Sequence, residues 1–126
     1  MGTITTRLLN QAGLPTHRPP TSPGEMVRAF LEDLDCTQAD AARALDISTN
    51  RLNEVVKDRR RISADTALRL AAYLGTSPQF WLNVQAAWDV WHEVRRGAAA
   101  YHAIVGHRPK AVRATSRSRA HAGGVE

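Results

Sequence analysis

Cysteine occurs once in these 126 residues, at position 36. A single thiol excludes an internal disulfide and leaves the fold to hydrophobic packing. Aromatics are also few, with two Phe, two Tyr and three Trp, so a core must draw mainly on Leu, Val, Ile and Ala. No apolar run approaches the roughly 20 residues that span a bilayer. The opening MGTITTRLLNQAGLPTHRPP has no basic segment followed by an apolar stretch, so a cytoplasmic chain with no membrane partner is expected. Sustained two-residue alternation of apolar and polar positions is missing too, and with it the mark of half-buried strands.

The chemistry of catalysis is equally thin. A catalytic centre needs convergent acids, bases or nucleophiles, whereas Glu25, Asp40, Asp65 and Asp89 are scattered along helical segments. Helix capping or surface pairing accounts for them. No glycine loop that cradles phosphate is present. The histidines at 17, 92, 102, 107 and 121 share no metal-ligand spacing with the acids or with Cys36. No enzyme activity, no metal and no cofactor are expected, and Cys36 is read as a small, partly buried filler.

What the chain does have is positive charge, unevenly placed. The formal net charge is +5. Residues 97–126 hold Arg108, Lys110, Arg113, Arg117 and Arg119 against Glu126, a net of +4. Residues 1–96 therefore carry only +1. Within them the bases gather in KDRRR, residues 57–61, while Glu32, Asp33 and Asp35 form an acidic stretch. For a nucleic-acid partner this distribution matters more than the total.

Helical signals organise the middle of the chain. Pro15, Pro19 and Pro20 punctuate a polar arm, residues 1–22, expected to be flexible. Ser22-Pro23 is a cap followed by a first-turn proline. Met26, Val27, Phe30, Leu31 and Leu34 then give one apolar helical face. Thr37 caps a second helix from about Gln38 to Leu45, and Ser48 a third from about Thr49 to Val56. Ser63 caps a fourth, ADTALRLAAYL, with Ala67, Leu68, Ala71 and Leu74 expected inside and Gly75 as its stop. Ser77-Pro78 opens a fifth, lined by Phe80, Trp81, Val84, Ala87, Trp88 and Trp91. GAAAYHAIV is expected to add one or two weak turns, and the residues from Gly106 onward to be disordered. The expected fold is all-α: a five-helix bundle, lambda-repressor-like, over residues 23–96, with flexible tails at 1–22 and 97–126.

The stretch TQADAARALDISTNRLNEVV, residues 37–56, is the most informative part. Two short helices joined by a tight turn form a helix-turn-helix, whose second helix can enter the DNA major groove. Ala42 is the small residue needed where the helices cross. Ile47, Leu52 and Val55 lock the pair together. With these turned inward, Thr49, Asn50 and Asn53 lie near the outer face at the N-terminal end of the third helix, the end that reaches base edges. About 12 Å of helix fills the reading width of a groove.

The pieces PGEMVRAFLEDL, TQADAARALDIS, RLNEVV and RRRISADTALRLAAYLGTSPQFWLNVQAAWDVW together resemble the HigA-type antitoxins of the XRE-like helix-turn-helix group. The block ISADTALRLAAYLGTSPQFWLNVQAAWD is the most specific, and the likeness covers residues 23–91. It implies a dimer that represses its own operon on operator DNA. It also implies neutralisation of a RelE-like ribonuclease toxin, a small basic protein that cuts messenger RNA on the ribosome. Gln38 matches the family position that bonds a DNA phosphate. Two positions depart from the family: Asp46 and Asp58 stand where glycine is common, at the corner and after the third helix. Aspartate tolerates left-handed backbone, so the turns are expected to survive, but the two charges oppose phosphate.

The site residues follow. Thr49, Asn50 and Asn53 are expected to contact bases, since an amide side chain can bond two groups of adenine, N6 and N7, at once. Gln38, Ser48, Arg51, Lys57, Arg59, Arg60 and Arg61 are the expected phosphate partners, which position without specifying sequence. Glu54 is read as a plain exposed carboxylate in preference to a cytosine acceptor. Trp81, Trp88 and Trp91 are expected to be mostly core, the remainder meeting a second copy or the toxin. Two rival functions stand beside the first: a solitary regulator without a toxin, and a protein-binding module that has lost DNA binding.

Overall fold

The computed structural model describes residues 19–111, so most of the N-terminal arm and the tail from residue 112 lie outside the described residues. Five helices run in order among the described residues: α1 Pro23–Asp33, α2 Gln38–Leu45, α3 Thr49–Val56, α4 Ala64–Leu74 and α5 Pro78–Val105. Among the described residues there is no strand, and no helix is long and apolar enough to cross a membrane.

Each helix begins where its sequence says it must. The hydroxyls of Ser22, Thr37, Ser48, Ser63 and Ser77 accept from the amides of Glu25, Asp40, Arg51, Thr66 and Phe80 at 3.0–3.2 Å. These are the first-turn donors that otherwise lack partners. At α1 the Glu25 carboxylate also accepts from the Ser22 amide at 3.2 Å, closing a capping box. Gly75 ends α4 in the left-handed region at φ 78°.

One core joins all five helices. It comprises Val27 and Leu31 of α1, Ala41, Ala42 and Leu45 of α2, and Leu52, Val55 and Val56 of α3, with Ile62, Ala67, Leu70 and Trp81 completing it. Phe30, Phe80 and Trp81 pack as a trio with ring centroids 4.9–5.9 Å apart. The Trp81 indole N–H donates to Thr76 Oγ1 at 2.7 Å, so the ring is buried without an unmet donor. Gly24 lets α1 and α3 meet: a Cβ there would sit 2.2 Å from the Val56 carbonyl oxygen.

Some expectations change. Leu68 is 58% exposed and Leu70 takes the inward place, because positions 67, 70, 71 and 74 share one helical stripe and 68 falls outside it. Leu34 is likewise exposed at the end of α1. Trp81 is fully buried within this chain and belongs to its core. Beyond Arg96 the helix continues to Val105 past a non-helical Gly97 (φ −148°, ψ 44°), where glycine accommodates the kink.

Candidate nucleic-acid interface

The corner between α2 and α3 is built by Asp46, which lies in the left-handed region at φ 58°, ψ 46°. Its amide reaches the Arg43 carbonyl at 3.2 Å, and the Ile47 amide reaches the Ala42 carbonyl at 3.0 Å. These bonds satisfy the last carbonyls of α2 and fix the exit of the chain. Ala42, Leu52 and Val55 are buried at the junction, with Ile47 partly buried against them.

That packing decides what α3 shows. Thr49 and Asn50 are exposed at its N-terminal end, whereas Asn53 is half-buried. The Asn53 amide nitrogen donates to Gln38 Oε1 at 3.2 Å. This bond couples the first residue of α2 to the middle of α3. The Gln38 side-chain nitrogen and the Asn53 side-chain oxygen take no part in this bond. Ser48 is engaged as the cap of α3.

The five expected basic phosphate partners divide into two groups. Lys57 and Arg59 are exposed and make no ion pair among the described residues. Arg60 pairs with Glu54 at 2.7 Å, giving that carboxylate a partner. Arg61 pairs with Asp89 of α5. Arg51 turns away from the exposed end of α3: its Nη2 donates to Asp65 Oδ2 at 2.8 Å and to Thr66 Oγ1 at 2.9 Å. The Arg51 and Arg69 guanidiniums hold the Asp65 carboxyl below the usual carboxylate range.

Two contacts that support this surface went unread in the sequence. Asp58 is left-handed at φ 59°, and its Oδ1 accepts from the Gly24 amide at 2.8 Å. Its charge thus lies at the N-terminal end of α1, where the helix dipole favours it. Gln85, buried on α5, accepts from the Ile62 amide at 2.8 Å and donates to Asp89 at 2.9 Å. It ties the basic loop to α5. A spacing of 34 or 23 residues has no local signature, so only the fold brings these partners together.

Trp88 is half-buried and lines a groove with Glu25, Arg28, Lys57, Asp58 and Arg59. Trp91 is buried, with Arg95 stacked 4.8 Å from its ring centre.

The helix-turn-helix family HTH_3 matches residues 27–81. The antitoxin HigA-1 of Vibrio cholerae is 39% identical over 77 residues, covering 60% of this chain and 72% of the relative. Among solved structures, an addiction module antidote protein of a HigA family from Coxiella burnetii superposes with a TM-score of 0.64 at 39% identity. It covers 66% of this chain and 91% of that one. The chain belongs to the HigA-type antitoxins of the XRE-like helix-turn-helix family. A second HigA structure, the Pseudomonas aeruginosa antitoxin with the higBA promoter, matches at a TM-score of 0.59 and 38% identity over 72% of this chain and 96% of that one. This HigA-type family is one of DNA-binding regulators and antitoxins, not of enzymes.

Proposed function

We propose that this chain represses transcription by reading operator DNA with α3 as a homodimer, and that it neutralises a RelE-like ribonuclease toxin in the cytoplasm. The observation that carries the DNA half is the division of α3. Leu52, Val55 and Val56 are buried while Thr49 and Asn50 stand exposed at the N-terminal end, where a recognition helix meets base edges. Thr49, Asn50 and the Asn53 carbonyl are the base-reading groups. Gln38, Ser48, Lys57 and Arg59 hold phosphate, with Arg60 and Arg61 able to exchange their carboxylate partners for it. In a dimer the two α3 helices enter successive major grooves about 34–36 Å apart on a palindromic site.

The rival of a scaffold that has lost DNA binding drew its support from Asp46, Asp58 and the near-neutral charge of residues 1–96. Asp58 has a structural duty in its bond to Gly24, and Asp46 forms the corner, so neither charge requires that reading. The toxin half rests on family membership. Trp88, half-buried in its groove, is the tryptophan left with surface for a second copy or a toxin.

Co-expression of the chain with the product of the adjacent gene tests the toxin half: relief of growth arrest and a complex that purifies are expected. A mobility shift with the DNA upstream of its own gene tests the other half. Unimpaired migration of that duplex at micromolar protein and low salt would refute the repressor.

A further inference from the structure

Asp65 lies in the first turn of α4, where any carboxylate gains from the helix dipole. Its contacts go well beyond that turn. Oδ2 accepts from Arg51 Nη2 at 2.8 Å and from Arg69 Nε at 3.0 Å, while Oδ1 lies 3.1 Å from the same Nε. Arg51 is the third residue of α3, inside the turn that carries Thr49 and Asn50. Its side chain is only 28% exposed, and its Nε is buried without an acceptor among the described residues. Arg69 carries the connection to the corner: its Nη1 donates to the carbonyls of Leu45 and Asp46 at 2.9 and 3.3 Å.

A carboxylate near a surface that meets phosphate opposes binding by its charge. Exposed ion pairs, moreover, add little to stability. The geometry gives this one another use. The carboxylate fastens the reading end of α3 to the first turn of α4 and holds Arg69, one turn further along α4, whose own guanidinium reaches the end of α2. Bidentate base contacts tolerate displacements of only about 0.5 Å, so the angle of α3 matters more than the strength of the pair.

We infer that Asp65 is a positioning residue for DNA recognition, setting the reading end of α3 and the helix-turn-helix corner against α4 through Arg51 and Arg69. This rests on the DNA-reading proposal above. Arg51 is then an internal strut, and phosphate contact is left to the other residues proposed for it above.

The test uses the full chain and two labelled duplexes: the segment directly upstream of its own gene and a composition-matched scramble. Asp65→Asn lowers the affinity ratio between the two by about tenfold, within the range for a lost base contact. It leaves scramble binding equal or tighter, because a negative charge is gone. Asp65→Glu recovers part of the ratio. An unchanged ratio in Asp65→Asn, or an equal loss on both duplexes as a folding defect would give, overturns the inference. Arg51→Gln keeps the wild-type salt slope. A slope smaller by about 0.9 would make Arg51 a phosphate contact and also overturn it. If the unaltered chain shows no preference for the upstream duplex, the DNA reading itself fails, and amide hydrogen exchange decides on the brace. In Asp65→Asn the amides of Ile47 and Leu52 then exchange about tenfold faster relative to those of Val27 and Leu31. Equal protection overturns the inference.

Discussion

Gly24→Ala adds one methyl group, and the structure indicates that the methyl has nowhere to go. Its Cβ would lie 2.2 Å from the Val56 carbonyl oxygen and 2.7 Å from both the Val55 oxygen and the Val56 carbonyl carbon. All three atoms are backbone, so no rotamer change makes room. The start of α1 must lift from the end of α3, stretching the Gly24 amide bond to Asp58, now 2.8 Å, and loosening Val27 in the core. Overpacking of this kind costs about 1–3 kcal/mol, and a weakened bond to a charged acceptor adds about 1–3 kcal/mol. Alanine's better helix propensity returns at most about 1 kcal/mol. The net loss is about 1–6 kcal/mol, centred on about 3 kcal/mol, a large part of the roughly 5–15 kcal/mol that holds a domain together. Thermal unfolding followed by circular dichroism should show the midpoint falling by about 10–20 °C. A midpoint within about 2 °C of the unaltered chain would refute the close approach of α1 and α3.

Other perturbations probe separate parts of the account. Leu52→Ala empties a fully buried site on the inner face of α3 and costs about 2–5 kcal/mol by denaturant titration; a loss below about 1 kcal/mol would place Leu52 outside the core. Asp58→Ala removes the acceptor of the Gly24 amide and puts a poor left-handed residue at φ 59°, so it destabilises by about 1–3 kcal/mol. A more stable variant would show the contact to be dispensable. Lys57→Ala and Arg59→Ala each weaken binding to all duplexes alike and reduce the salt slope by about 1; a sequence-dependent loss would make either a base contact. Asp65 titrates below its ordinary value, so its contribution to stability is complete above the unfolded value and disappears only as pH falls through the lower folded one. The stability difference between the unaltered chain and Asp65→Asn is therefore flat from pH 5 to 8 and shrinks below about pH 4. A difference that changes between pH 6 and 7 would point to another group.

The helices were legible because their signals are local. Every cap is a Ser or Thr three residues before the amide it binds, and the stripes of α1, α2 and α3 follow helical spacing. Leu68 was misplaced because it was grouped with its neighbour Ala67, although helical spacing puts Leu70, and not Leu68, on the stripe of Ala67, Ala71 and Leu74. Trp81 belonged to a stripe wide enough to serve both core and surface, and burial by Phe30 and Phe80 settled it. On the candidate interface, the exposure of Thr49 and Asn50 could be read from the inward set around Leu52. The pairings could not. Arg51 looked like one more free cation until α4 brought Asp65 to it, and Asp58 looked like a charge against DNA until α1 brought the Gly24 amide.

The central claim is that the exposed N-terminal end of α3 reads bases. Binding of the Asn50→Ala/Asn53→Ala double variant to the DNA upstream of its own gene, against a scrambled duplex, tests this most directly. A loss of about 1–3 kcal/mol per removed contact, confined to the upstream duplex, is predicted. Unchanged affinity with unchanged sequence preference would contradict it.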